Sequence, residues 1–266
     1  MDWRSFGLLF SFPFLAIRSF LVGITHTKAL SWAAAIAVLI NIPLNFYLIF
    51  TRELGISGAA IASSLAEMGS FMMLSFYMWI RLDKEKYGLR PVYNGNLLIK
   101  VLKLSTWSML HAFISVAPWF LFFVSIEHLG KIELAISNIT RSVSAIFFVI
   151  ANSFALTTGS LVSNAIGAGE GKALFSICSK ILKLGYAIGF PLVAIALLCN
   201  RWIIGFYTSN ELLIQLAFAP FVVMLLNYTF ALPGYVYLNA VGGTGKTQMT
   251  FLFQVTTTTI YLVYLY

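Results

Sequence analysis

"SVSAIFFVIANSFALTTGSLVSNAIGAG", residues 142–169, contains no Asp, Glu, Lys or Arg. About 20 apolar residues carry a helix across the hydrocarbon core of a bilayer, and this run is longer than that. A second run, residues 212–245, is equally free of charge. Of the 266 residues, 60% are hydrophobic and only 10% are charged, a composition far from that of soluble domains. Such a chain is built for lipid as its solvent. Eight segments fit this reading: 8–27, 29–50, 56–80, 97–126, 132–166, 173–207, 211–241 and 247–266. The expected fold class is all-α, a polytopic transmembrane helical bundle.

Six of the seven prolines fall inside these segments: Pro13, Pro43, Pro118, Pro191, Pro220 and Pro233. Each removes an internal hydrogen bond, so bent helices are expected, with neighbouring helices satisfying the freed carbonyls. Basic residues set the orientation. In alternate connections, one set carries Lys28, then Arg81, Lys84, Lys86, Arg90, Lys100 and Lys103, then Lys172, Lys180 and Lys183, then Lys246. The opposite set has only Arg52, Lys131 and Arg201, which places the first set on the cytoplasmic side. The same bias accounts for the net charge of +8, so basicity here does not indicate nucleic-acid binding. Residues 81–96, with Gly88, Pro91 and Gly95, form the one evident boundary. Residues 1–80 and 97–266 are then two helical lobes joined by a cytoplasmic linker.

Enzymatic and metal chemistry find little support. His26, His111 and His128 are scattered, with no cysteine beside them. Cys178 and Cys199 lie near opposite ends of one segment, roughly 30 Å apart along a helix, too far for a disulfide.

The stretch "LNAVGGTGKTQMT", residues 238–250, comes within one residue of a phosphate-binding loop, with Ala240 where the first glycine is required. A phosphate-binding loop also needs a soluble α/β context, which is missing here. Another reading comes from the amino terminus. Residues 10–27 match residues 230–247 at one constant offset: Phe10 with Phe230, Pro13 with Pro233, Gly23 with Gly243 and Thr27 with Thr247. The identities occupy the same places in each unit, namely helix end, glycine break, loop and next helix, so we take this as an internal repeat. "GGTGKT" is then a cytoplasmic hinge between two helices, and no nucleotide is expected.

Repeated helical bundles joined by one longer loop are a transporter architecture. "NIPLNFYLIF" (41–50) followed by "LGISGAAIASSLAE" (54–67) resembles the end of the first half of multidrug and toxic compound extrusion (MATE) transporters. "LVSNAIGAGEGKA" (161–173) resembles their second-half loop, and "AVGGTGKT" (240–247) the loop before their eleventh helix. The resemblance implies two pseudo-symmetric lobes of six helices each, with this chain covering the fourth to eleventh helices and the amino lobe incomplete. By repeat symmetry, about 125 residues would precede Met1 and about 50 would follow Tyr266. It further implies export of drugs or other amphipathic organic compounds, coupled to inward flow of H+ or Na+, with alternating access and no other cofactor. The implied partners are small organic substrates and membrane lipid, the implied state is a monomer, and the implied place is a bacterial inner (plasma) membrane. A lipid-linked oligosaccharide flippase and a non-transporting truncated remnant are the alternative readings.

Polar residues within the spans are costly in lipid and usually face the bundle interior. Asn41 and Asn45 are four apart and share a helix face. In one branch of the family that face carries an Asn and an Asp of an amino-lobe cation site, to which the next helix adds a hydroxyl at the position of Ser63. Asn41 fits that pattern, whereas Asn45 stands where the acid is expected. Both also fit a role as interhelical hydrogen-bond donors and acceptors. Glu67, one turn after Ser63, is a candidate for proton exchange or for pairing with a neighbouring cation. Another branch places a glutamate within its seventh helix, where this chain has Ser115. His111, Ser115, Asn138, Arg141 and Asn152 are the candidates for a substrate cavity. Asn138 and Arg141 share a face at spacing three, and Arg141 suits an anionic group or a structural pair with Glu67. The aromatic residues, among them Trp107, Trp119, Phe120, Phe122 and Phe123, suit cation–π contact with flat organic cations as well as lipid-facing belts.

Overall fold

The computed structural model describes residues 2–83, 85–89 and 93–265, with side chains from residue 5 onward. Lys84, Arg90 and Pro91 of the linker lie outside the described residues. The chain divides into two compact units, Met1–Tyr93 and Asn94–Tyr266. The first holds α1 (Asp2–Gly23), α2 (Lys28–Phe46), a π turn (Tyr47–Thr51) and α3 (Gly55–Arg81). The second holds α4 (Gly95–Leu129), α5 (Lys131–Gly167), a 3-10 turn (Gly171–Ala173), α6 (Leu174–Leu198), α7 (Asn200–Gly205), α8 (Glu211–Gly243) and α9 (Thr247–Leu265). No strand occurs among the described residues.

Seven spans in the described chain are long and apolar enough to cross a membrane. The eighth expected segment forms α9, but Gln248 and Gln254, with the threonines Thr256–Thr259, lower its hydropathy and it is not among the seven. The expected segment 173–207 is also two helices rather than one. The Cys199 N–H donates to the Ile195 carbonyl and closes α6, and the Asn200 amide donates to the Leu197 carbonyl at 2.6 Å. The break falls where Asn200 and Arg201 interrupt the apolar run, which resumes at Trp202. The first helix starts at Asp2, several residues before the expected start at residue 8.

In the first unit, α3 packs against both α1 and α2. Its buried residues Gly58, Ala62, Ala66, Ser70 and Leu74 recur at every fourth position. In lipid, helix association depends on such small residues, which let backbones approach closely. Ser70 uses that proximity, donating to the Ala33 carbonyl of α2 at 3.1 Å.

In the second unit, α8 is the central helix. It buries Ala217, Phe221, Leu225, Tyr228, Leu232 and Val236, one face at helical spacing, against α5 and α6. α5 answers with Val143, Phe147, Ala151, Ala155 and Val162. The two helices approach closely at Gly159 and Gly243. A Cβ on Gly243 would lie 2.5 Å from the Gly159 carbonyl oxygen. Ser163 bridges the crossing by donating to the Gly243 carbonyl at 2.7 Å.

The internal repeat recurs in the hydrogen bonding. At the end of α1 the Ile24 N–H donates to Phe20 O (3.0 Å) and the Thr25 N–H to Val22 O (3.1 Å). At the same sequence offset, at the end of α8, the Thr244 N–H donates to Ala240 O (3.2 Å) and the Gly245 N–H to Gly242 O (3.0 Å). The second of these residue pairs also agrees in conformation, since Thr25 and Gly245 both adopt the left-handed region, with φ of 61° and 79°. Glycine takes that conformation freely, whereas threonine holds it at a cost of about 1–2 kcal/mol.

Candidate functional site

In the first unit, α2 and α3 bring three of the predicted residues to one cavity. Asn41, Ser63 and Glu67 line a space of about 430 Å³ together with Phe14 of α1, Ser70 and several alanines. The i, i+4 spacing places Ser63 and Glu67 on the same face of α3, and the small side chains Ala33, Ala34, Ala37 and Ala66 leave the volume open. Asn45 stands one turn beyond Asn41 and donates its amide to the Asn41 side-chain oxygen at 2.8 Å. That bond leaves the Asn45 side-chain oxygen buried without a hydrogen-bond partner.

Two residues of this site are invisible to spacing. Ser11 of α1 donates its hydroxyl to Oε2 of Glu67, a bond across the helix pair. One turn earlier, Gly7 makes room for the arrangement: a Cβ there would lie 2.5 Å from the Ser64 hydroxyl and 3.4 Å from Glu67 Oε2. Glu67 is half-buried, so its carboxylate exchanges part of its water for contacts within the bundle, the Ser11 hydroxyl among them.

The predicted residues of the second unit separate into distinct groups. Asn138 and Arg141 share one face of α5. The guanidinium lies 5.2 Å from the centre of the Phe123 ring and donates to the Asn138 oxygen at 3.5 Å. Arg141 is exposed, and in the second unit it is held by a ring and an amide. His111 and Ser115 belong to a separate group on α4. The Ser115 hydroxyl donates to the Ala112 carbonyl at 2.7 Å, while Nε2 of His111 is buried with no hydrogen-bond partner. Asn152 is half-buried on α5, three turns from Arg141. Among the described residues, no group of three His, Cys, Asp or Glu side chains is placed to hold a metal ion.

The glycine-rich stretch is the turn between α8 and α9. Its Thr244 and Gly245 N–H groups point back at carbonyls of the α8 terminus rather than converging outward, so they do not form a phosphate cradle.

The MatE family model matches residues 108–266, more than half of the chain. This chain belongs to the MatE family. The match runs from within α4 through α9. The MatE chain is 28% identical over 161 residues to the probable multidrug resistance protein NorM of Photorhabdus laumondii, an alignment covering 58% of this chain and 35% of that protein. It is 24% identical over 181 residues to Protein DETOXIFICATION 8 of Arabidopsis thaliana, covering 66% of this chain and 36% of that protein. Among solved structures, a MATE transporter crystallised in complex with MaL6 superposes with a TM-score of 0.71 at 18% identity, covering 84% of this chain and 51% of that one. That likeness establishes the fold. The MatE chain thus covers between about a third and about a half of each of these proteins. It is a multi-pass membrane protein of a transporter family, with the all-α bundle its charge-free runs imply.

Proposed function

We propose that this MatE chain works in a secondary exporter of drugs or other amphipathic organic compounds, exchanging them for an inward-moving cation by alternating access in a bacterial inner membrane. The observation that carries the reading is the carboxylate of Glu67, held by Ser11 at the wall of an open cavity within the bundle, with Asn41 and Ser63 beside it. Ionisable side chains at such depth are expensive to keep and usually mark an ion or proton path. Among the side chains lining the cavity, one carboxylate stands with neutral oxygens and without the second acid the family pattern would place at Asn45. A single carboxyl changes by one charge on binding a proton, whereas a sodium ion needs several oxygens around it at once. The proton is therefore the coupling ion we favour, and sodium is the alternative to test. The charge bias places the 81–96 segment in the cytoplasm. Transport needs no covalent step, and we expect no enzymatic activity.

The test expresses the gene, with its native flanking sequence, in a bacterium stripped of its own drug exporters. Glu67→Gln should lower resistance to organic cations to near the empty-vector level while leaving membrane abundance unchanged. Full resistance in the variant would refute a coupling role for Glu67.

A further inference from the structure

α4 and α9 run parallel along one seam. The Thr247 hydroxyl donates to the Leu104 carbonyl at 3.2 Å, and the Trp107 and Phe251 rings lie 5.2 Å apart. Further on, Pro118, Trp119 and Phe122 share a cavity of about 270 Å³ with Tyr261. The half-buried residues of α4 along this length include Trp107, His111, Ser115 and Pro118. On α9 the protected positions Phe251, Gln254, Thr258 and Tyr261 recur at steps of three and four. That is the spacing of two helices meeting along a common stripe, and it sets His111 at the level of Gln254 and Ser115 at the level of Thr258. The two middle levels of the seam are polar, between an aromatic level on either side.

The hydrogen bonding at those levels is incomplete. The Gln254 amide nitrogen donates to the Thr258 hydroxyl at 3.2 Å, and the Ser115 hydroxyl is taken up by the Ala112 carbonyl. Nε2 of His111 is buried and bonded to nothing. A buried polar atom without a partner costs about 1–3 kcal/mol, and Gln254 offers a carbonyl oxygen at the same level. α9 has no charged residue along its length, and Tyr261 is the titratable group on its seam. α5, joined to α4 through Gly130, carries Lys131 and Glu133 near that turn and Arg141 over Phe123, about three turns of α4 from His111. Lys100, Lys103, Glu127 and His128 lie toward the ends of α4 itself.

We infer that His111 and Gln254 form a proton-binding layer in the α4–α9 pair. In the neutral state the imidazole carries its proton on Nδ1 and Nε2 is unpaired. As the pH falls, Nε2 takes one proton from a solvent hydronium ion, which leaves as water, and the imidazolium N–H so formed donates to the Gln254 carbonyl oxygen, drawing that amide away from Thr258. Protonation thereby exchanges one seam hydrogen bond for another. This site lies in the second unit and does not depend on the role of Glu67.

The test uses the 266-residue chain in lipid nanodiscs with 15N-labelled histidine. His26→Gln and His128→Gln leave a single imidazole to observe. As the sample is titrated from about pH 8 down to about pH 4, the His111 nitrogens should pass from the neutral to the protonated pattern. Gln254→Met, which removes the acceptor, should move the midpoint to lower pH by about half a unit or more. Thr258→Val frees Gln254 from its present partner and should move the midpoint to higher pH, a second readout should Gln254→Met fold poorly. A His111 that stays in one protonation state across this range overturns the inference, as does a midpoint that neither variant moves. Glu67→Gln should leave the titration unaltered.

Discussion

The hydroxyl of Ser11 on α1 donates to the carboxylate of Glu67 on α3, so two helices far apart in sequence hold one ionisable group between them. A hydrogen bond to a charged group contributes about 1.5–3 kcal/mol, enough to fix the rotamer of a carboxylate at a cavity wall. Ser11→Ala should therefore slow coupled efflux by about tenfold, with Ser11→Thr, which keeps the hydroxyl, close to wild type. Efflux of a fluorescent organic cation from cells, normalised to membrane abundance, checks this. Equal rates for Ser11→Ala and wild type would show that the bond does not position Glu67.

The repeat-matched glycines Gly23 and Gly243 should respond differently to the same substitution. A Cβ on Gly243 meets backbone of α5 that cannot step aside, whereas nothing lies within 4 Å of a Cβ on Gly23. Gly243→Ala should destabilise by about 1–3 kcal/mol and lower the melting temperature in detergent, and Gly23→Ala should not. Equal melting temperatures for the two variants would contradict the close α5–α8 crossing.

Orientation is open to direct labelling. Lys86 is exposed in the segment after α3, while neighbouring Tyr87 packs on the Phe20 ring at 6.0 Å. With Cys178 and Cys199 changed to serine, Lys86→Cys should react with a membrane-impermeant maleimide only after the inner membrane is opened. Labelling in intact spheroplasts would place this segment outside.

The helices were legible because lipid leaves the backbone no partner but itself, so length and the absence of charge are enough to place a span. That logic fails at membrane edges. The break at Cys199 is made by local carbonyl bonds, and the two polar residues beside it, Asn200 and Arg201, are too few to end an apolar run that resumes at Trp202. The site was legible to the same degree. Spacing put Ser63 and Glu67 on one face of α3 and Asn41 with Asn45 on one face of α2. Ser11 and Gly7 could not be found that way, because nothing in α1 separates Ser11 from Ser19 until the packing against α3 is known. His111 stood out as a titratable residue within a span, but its neighbour Gln254 follows only from the parallel register of α4 and α9.

The central claim is that Glu67 exchanges a proton for each step of drug export. Everted membrane vesicles carrying the transporter, loaded with a pH indicator and energised with an inward-acid gradient, report that exchange when an organic cation such as ethidium is added outside. The account predicts that ethidium uptake into wild-type vesicles is accompanied by proton release, that both are lost in Glu67→Gln, and that sodium alone does not drive uptake. Full ethidium-linked proton movement in the Glu67→Gln vesicles, or sodium-driven uptake without proton movement, would contradict it.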